Sequence, residues 1–396
     1  MTQARKRVLI NARLYGAGGS ETHLLNLCRL LVQHGAEVTV VSRFARPETP
    51  LVQRRHEIPV RLVTTPFARQ LSLFRLSTGW AMAMWQFELR AGHFDILYTL
   101  ELSRFTRFLV RFVRAGGWVI GNRFGEPLGE TESLPAQALG VLRGFVVESE
   151  LQAQALRRKH ANSFPLAVIP HIGHVADPAP REPRTGDFFR AAFLGRYGRA
   201  KGIYRLLEIW PELPQSMHLE FFGHGPERAA LEREIHNRGL ARRVRVNGGW
   251  RDSDELRRIM ANVDLVVLPS ETEGLPVVLL EAMAHGVPFV ATDVGAVRTL
   301  AEENPDVLVV PQSNRALKDA LVTMENDIRS GKVVGERLQQ YHRARFGYER
   351  LSRLWTQALL NPEEFWQPLG RTLGSQPGMP PSLGALRSLP ADEPAQ

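Results

Sequence analysis

Residues 266–295, VVLPSETEGLPVVLLEAMAHGVPFVATDVG, decide the fold. A short β-rich run, Leu265–Leu268, empties into the polar loop Ser270-Glu271-Thr272-Glu273-Gly274, an apolar helix begins near Leu275-Pro276, and a second β-rich run, Pro288–Thr292, follows. Strand, helix and strand in so short a span argue for parallel neighbours joined by a crossover helix. Proline in a first helical turn costs nothing, because its N–H would be an orphan there. The other free N–H groups, around Gly274 to Val277, then aim partial positive charge at an anionic or strongly hydroxylated group beyond the strand end.

The same rhythm extends outward in both directions. In the first half the strand candidates are Arg7–Arg13, Glu37–Ser42, Arg61–Thr65, Ile96–Leu100, Trp118–Asn122, Phe145–Glu148 and Leu166–His171. In the second half they are Arg190–Arg196, His218–Gly223, Val244–Asn247, Asp264–Pro269, Pro288–Thr292 and Val307–Val310. Each set fills one open parallel sheet, so the expected class is α/β with two Rossmann-like, doubly wound domains. The expected boundaries are 1–176 for the first domain, 177–187 for a linker, 188–345 for the second domain, 346–362 for a helix crossing back, and 363–396 for a disordered tail rich in Pro, Gly and Ser. Ser313–Ser330, Val334–Phe346 and Tyr348–Leu360 read as the closing helices.

Two more strand-to-helix turns carry chemistry. In FLGRYGRAKGIYRLLEIW, residues 193–210, Gly195-Arg196 ends a strand and Lys201-Gly202 precedes a helix. A planar guanidinium and a mobile ammonium at the carboxyl edge of a sheet suit a departing diphosphate; two ordinary surface cations are the alternative. In LYGAGGSETHLLNLCRLL, residues 14–31, Gly16, Gly18 and Gly19 precede a helix expected to be capped by Ser20. Glycines there let backbone approach a ligand, although a tight turn without a ligand reads the same way and the spacing is not a dinucleotide fingerprint. Glu273 and Glu281 stand eight residues apart, which is ~12 Å along a helix and about the reach from a nucleotide's ribose to the sugar on its β-phosphate. A carboxylate accepts both hydrogens of a cis-diol, so Glu281 suits ribose and Glu273 a sugar; the alternative makes both plain helix-surface acids.

The chain has 396 residues, 44% of them hydrophobic and 23% charged, which excludes a fibrous or wholly disordered protein. The formal charge of +9 comes mostly from arginine, since lysine occurs only at Lys6, Lys159, Lys201, Lys318 and Lys332. One cysteine, Cys28, builds no disulfide within the chain and no cysteine metal site. Nothing reaches the ~18 uninterrupted apolar residues of a membrane span, and MTQARKRVLINAR has no signal-peptide core, so the expected location is cytoplasmic, with the inner face of the cytoplasmic membrane left open. No recognition motif or aromatic-basic platform supports a nucleic-acid partner.

Residues 190–311 resemble the nucleotide-binding half of the retaining family-four glycosyltransferases, the glycosyl-transferases group 1 family, whose fold is GT-B. The resemblance rests on Gly195, Arg196, Lys201 and Gly202, on FFGHGP at Phe221–Pro226, and on the E-x7-E pair Glu273 and Glu281; GGSETHLLNL and VIPHIG carry it more weakly into the first half. It implies two domains facing a central cleft and transfer of a sugar from a nucleotide-diphosphate donor, with retention and without metal or other cofactor. By the same resemblance Arg196 and Lys201 hold the diphosphate, and Glu273 with Gly274, Leu275 and Pro276 holds the donor sugar. Glu281 holds the ribose, Gly18 and Gly19 face the phosphates or the acceptor, and Arg196, Lys201 and Glu273 are the catalytic candidates. No Asp-x-Asp pair stands at a strand end to hold a divalent cation.

Two departures concern the acceptor side. Relatives often carry a histidine after the strand equivalent to Trp118–Asn122, where this chain has Asn122-Arg123, and an asparagine where it has His171. Asn122, Arg123 and His171 are therefore the acceptor-side candidates. In LSRFTRFLVRFVRAGG, Arg104, Arg107, Arg111 and Arg114 fall on one helical face and Phe105, Phe108 and Phe112 on another. Such a helix rests on anionic lipid or packs its phenylalanines on the sheet; with Trp80 and Trp85 nearby, a saccharide or lipid-linked glycan is the expected acceptor. The competing functions are a GT-B epimerase and a noncatalytic nucleotide-sugar-binding protein.

Overall fold

The computed structural model describes residues 5–14, 18–47, 49–65, 77–100, 102, 104–122, 139–160, 163–173, 188–250, 252–302 and 304–371. The first sheet comprises β1 (Arg7–Asn11), β2 (Glu37–Ser42), β3 (Arg61–Thr64), β4 (Phe94–Thr99), β5 (Val113–Asn122), β6 (Gly144–Val147) and β7 (Leu166–Val168), in the order β3-β2-β1-β4-β5-β6-β7. The second comprises β8 (Phe189–Leu194), β9 (Met217–Phe222), β10 (Val244–Val246), β11 (Leu265–Leu268), β12 (Phe289–Thr292) and β13 (Leu308–Val310), in the order β10-β9-β8-β11-β12-β13. Every pairing between these strands is parallel. Buried on both faces, the strands are near-continuous apolar runs such as Leu265-Val266-Val267-Leu268, all in the core. The chain order reverses between β1 and β4 and again between β8 and β11, and at such switch points the loops diverge to leave a crevice.

The second domain has its own core, gathered around Phe193, Trp210, Phe221 and Phe289. The first sheet is covered on both faces, and one of its two cores is completed from the far end of the chain: Leu351, Leu354, Trp355, Ala358 and Trp366 pack with Val8, Ile10, Leu27 and Tyr98. The helix Tyr348–Leu360 thus crosses back to the first domain, and the Trp355 indole N–H donates to the Pro170 carbonyl at 3.0 Å.

Four expectations need correction. Residues 363–371 are not tail: Pro362–Arg371 is a helix, with Trp366 buried and its indole donating to the Ala358 carbonyl at 2.9 Å. Pro362 is tolerated because it opens the helix. The basic amphipathic helix stops early: Arg104–Leu109 is helical, Val110–Phe112 is a 3-10 turn, and Val113 already begins β5, five residues ahead of the expected strand. Its Phe105, Phe108 and Phe112 are buried in the first domain, while Arg107, Arg111 and Arg114 stay exposed. The Arg111 guanidinium lies over the Phe108 ring at 4.5 Å, and Arg114 pairs with Asp95 at 2.5 Å. The first glycine-rich helix starts at Gly19 with Gly18 as its N-cap, so Ser20 is inside the helix and does not cap it. Pro276 is likewise the N-cap of the helix Val277–Ala284, one position outside the first turn. The expected linker 177–187, the segment 372–396, Arg123 and Gly16 lie outside the described residues, as do the contacts of the Arg104 side chain.

Candidate active site

The two loops flanking the second switch point converge. After β8, Gly195 and Arg196 lead into a 3-10 turn, Arg199–Lys201, and Gly202 then turns the chain into the helix Ile203–Ile209. Gly202 has φ 70°, and a Cβ there would lie 2.0 Å from the Pro269 carbonyl oxygen. Only glycine lets the Lys201 turn pack directly on the end of β11. The Glu271 N–H donates to the Ala200 carbonyl at 2.8 Å and locks the two loops together.

Their side chains meet at Glu273. Its Oε1 accepts from Lys201 Nζ at 2.7 Å and from Ser270 Oγ at 2.7 Å. The Thr292 hydroxyl, at the end of β12, in turn donates to the Ser270 carbonyl at 2.5 Å. The Glu273 side chain is 9% exposed and that of Lys201 34%, so a well-screened carboxylate holds an ammonium that retains an open face. Glu281 is 6% exposed on the helix Val277–Ala284. The structure thus brings Lys201 and Glu273 into direct contact and places Gly274, Leu275 and Pro276 between Glu273 and that helix, with Glu281 two turns further on.

The first domain presses onto this loop. Gly19, at the start of its helix, faces Val277: a Cβ on Gly19 would lie 2.8 Å from Val277 Cγ2. Gly173 lies beside Val277 and Glu281. Glu21, in the first turn of the glycine-loop helix, has its pKa raised by burial, with the charge of exposed Arg196 among the effects that lower it. Sequence reading missed Glu21, although an acid in the first turn beside three glycines was a signal to use.

Of the acceptor-side candidates, Asn122 is buried at the end of β5 and donates to the Tyr98 hydroxyl at 2.7 Å. His171 is buried, and burial pushes its pKa down to about 3, so the ring is neutral. It lies 5.0 Å from the His23 ring, whose Nδ1 accepts from the Ile172 N–H at 3.1 Å, and 3.5 Å from Glu148 Oε2. Glu148 is the second residue missed. It follows β6, is 1% exposed, and its Oε1 accepts from the Leu275 N–H at 2.8 Å. Among the described residues no group of three His, Cys, Asp or Glu side chains could hold a metal ion, and no helix is long and apolar enough to cross a membrane.

This arrangement can bind a polyanion beside Arg196 and Lys201, accept sugar hydroxyls at Glu273, and enclose both between two domains. Comparison with known proteins gives the family and the fold. Residues 189–327 match the model of the Glycosyl transferases group 1 family and residues 17–116 that of Glycosyltransferase Family 4, together more than half of the chain. TuaC of Bacillus subtilis, named for teichuronic acid biosynthesis, is 34% identical over 137 residues, 35% of this chain and 33% of TuaC. The D-inositol 3-phosphate glycosyltransferase of Corynebacterium urealyticum is 33% identical over 175 residues, 41% of this chain and 40% of that protein. The chain thus spans well under half the length of these curated relatives. Among solved structures, Anabaena HepE in complex with UDP-glucose has the same two-domain GT-B fold, with a TM-score of 0.69 at 18% identity over 90% of this chain and 99% of HepE.

Proposed function

We propose, for a chain that belongs to the group 1, family 4 glycosyltransferases, that it moves a sugar from a nucleotide-diphosphate donor to a saccharide or lipid-linked saccharide acceptor, with retention and without a metal. The observation that carries the reading is the Lys201, Glu273 and Ser270 cluster at the switch point of the second sheet, faced across the cleft by the Gly18–Gly19 helix start. The names of relatives support a glycan of the cell envelope: TuaC is named for teichuronic acid, and LpsE of Rhizobium meliloti for the lipopolysaccharide core.

In this mechanism the donor diphosphate lies against Arg196 and Lys201, and Lys201 turns from Glu273 to a phosphate oxygen. Glu281 accepts the ribose diol, while Glu273, relieved of the ammonium, accepts hydroxyl hydrogens of the sugar. As the glycosidic bond breaks, negative charge grows on the β-phosphate and the sugar becomes oxocarbenium-like, so fixed cations supply most of the rate enhancement. The acceptor hydroxyl attacks the face the phosphate is leaving and passes its proton to that phosphate; the contact between the domains keeps water from competing. A lipid-linked acceptor is supported by the outer surface of the first domain. There Phe87 is 86% exposed on the helix Ser77–Glu88, and the Arg111 guanidinium donates to Gln86 of that helix at 3.3 Å. These exposed groups are what supports a peripheral contact of the enzyme with the inner face of the cytoplasmic membrane.

The test is a thermal-shift screen with UDP-, GDP-, ADP- and dTDP-sugars, followed by donor hydrolysis and transfer assays on the one that stabilises. A donor at 100 times its Kd adds about 2.7 kcal/mol. Lys201→Ala and Glu273→Ala each lower turnover by about 10²-fold or more. Wild-type turnover in both variants overturns the assignment.

A further inference from the structure

Glu148 belongs to the first domain, yet its carboxylate accepts a hydrogen bond from the donor loop of the second. Gln152, one turn along the helix Glu150–His160, fixes the carboxylate: its side-chain NH2 donates to Glu148 Oε1 at 3.2 Å, and its own Oε1 accepts from the Glu148 backbone N–H at 3.0 Å. The same Oε1 of Glu148 accepts from the Leu275 N–H, 127 residues away in sequence. Leu275 is two residues past Glu273, and Pro276 has no N–H, so this amide is the only main-chain donor between Gly274 and Val277. A hydrogen bond in so dry a site is costly to lose, because a buried amide left without its acceptor has no water to turn to.

We propose that Glu148 is a positioning residue for the donor-sugar loop. Its carboxylate holds the Leu275 amide, and through it the backbone that carries Glu273, only when the two domains are together. Closure of the cleft and assembly of the sugar pocket are therefore one event. The inference rests on the transferase reading of the site, but the bond itself is measurable without turnover.

Two variants of the full-length chain separate the possibilities. Glu148→Gln keeps an acceptor oxygen; Glu148→Met keeps the volume and removes it. In ligand-free protein, amide hydrogen exchange in a peptide covering residues 270–280 accelerates about tenfold in Glu148→Met and stays near wild type in Glu148→Gln, with the strand Leu265–Leu268 unchanged in both. With UDP-glucose as donor and UDP as the binding probe, Glu148→Met lowers kcat about tenfold or more while the Kd for UDP stays within about twofold, and Glu148→Gln restores kcat to within about threefold. Unchanged exchange in Glu148→Met, or a Gln variant as impaired as the Met variant, overturns the proposal. If Glu148→Met does not fold, Glu148→Gln still decides: exchange faster than wild type refutes the acceptor role. Absence of wild-type turnover with any donor would defeat the transferase reading alone, since the exchange result stands apart from it.

Discussion

Gly19→Ala separates stability from catalysis at one methyl group. Gly19 is the first residue of its helix, where alanine is the better helix former, so the substitution by itself stabilises the first domain by up to about 1 kcal/mol. The added Cβ, however, lies 2.8 Å from Val277 Cγ2 and 3.2 Å from Val277 Cβ. Carbon atoms pack at about 3.5–4.0 Å, so the two domains must separate by roughly 0.7–1.2 Å at this point. Rotation of Val277 gives little relief, because a β-branched side chain in a helix has one strongly preferred rotamer and the second close atom is its Cβ. A misplacement of about 1 Å in a group that orients substrate costs around 10²-fold in rate. The expected result is a melting temperature equal to or above wild type, with kcat for transfer from whichever nucleotide sugar the thermal-shift screen selects down by about two orders of magnitude. The double variant Gly19→Ala/Val277→Ala recovers part of that loss, since the nearest atom has gone. Wild-type kcat in Gly19→Ala, or a melting temperature that falls in parallel with kcat, would falsify this account of the cleft.

Two further outcomes are expected. Burial holds His171 at about 3 against an ordinary 6.5, and His23 well below its usual value too. Between pH 6.5 and 3 the unfolded chain therefore binds protons that the folded chain does not, and stability is complete above pH 6.5 and lost as the pH falls through that window. In urea titrations the stability of wild type relative to His171→Gln should fall by roughly 1–3 kcal/mol between pH 7 and pH 4, and a pH-independent difference would refute the assignment. Trp355→Ala empties a fully buried site and costs about 3–5 kcal/mol. Hydrogen exchange should accelerate in β1 and β4 and not in β8 and β11; equal acceleration in both sheets would mean that the crossing helix is not anchored as described.

The strand pattern was legible because parallel strands buried on both faces are near-continuous apolar runs, as in Leu265–Leu268, and here they recur in alternation with helix-period segments along the chain. Lys201 and Glu273 were legible because each sits where a strand ends and a helix begins, which is where an open α/β sheet leaves a crevice. The amphipathic helix misled because Phe105, Phe108 and Phe112 keep a helical spacing through a helix and a 3-10 turn that ends where β5 begins; a short apolar run does not reveal which conformation it takes. Pro362 and Pro368 concealed a helix whose Trp366 needs a cavity beside Gly144, where any Cβ would strike the indole at 2.7 Å. Glu148 left no trace at all. An acid after a strand normally meets water, and its partner, the Leu275 amide, carries no side-chain signature and lies in the other domain.

The return of residues 351–366 to the first sheet also bears on how the chain is made. Domains commonly fold in the order in which they are synthesised. Here β1 to β7 emerge first but lack Leu354, Trp355 and Trp366, so the apolar face awaiting those side chains stays open until the whole second domain has left the ribosome. The second domain, whose core is self-contained, can finish before the first. During translation the amino-terminal half is therefore the one that needs protection from aggregation, and a stall before residue 351 would leave it exposed although its own sequence is complete.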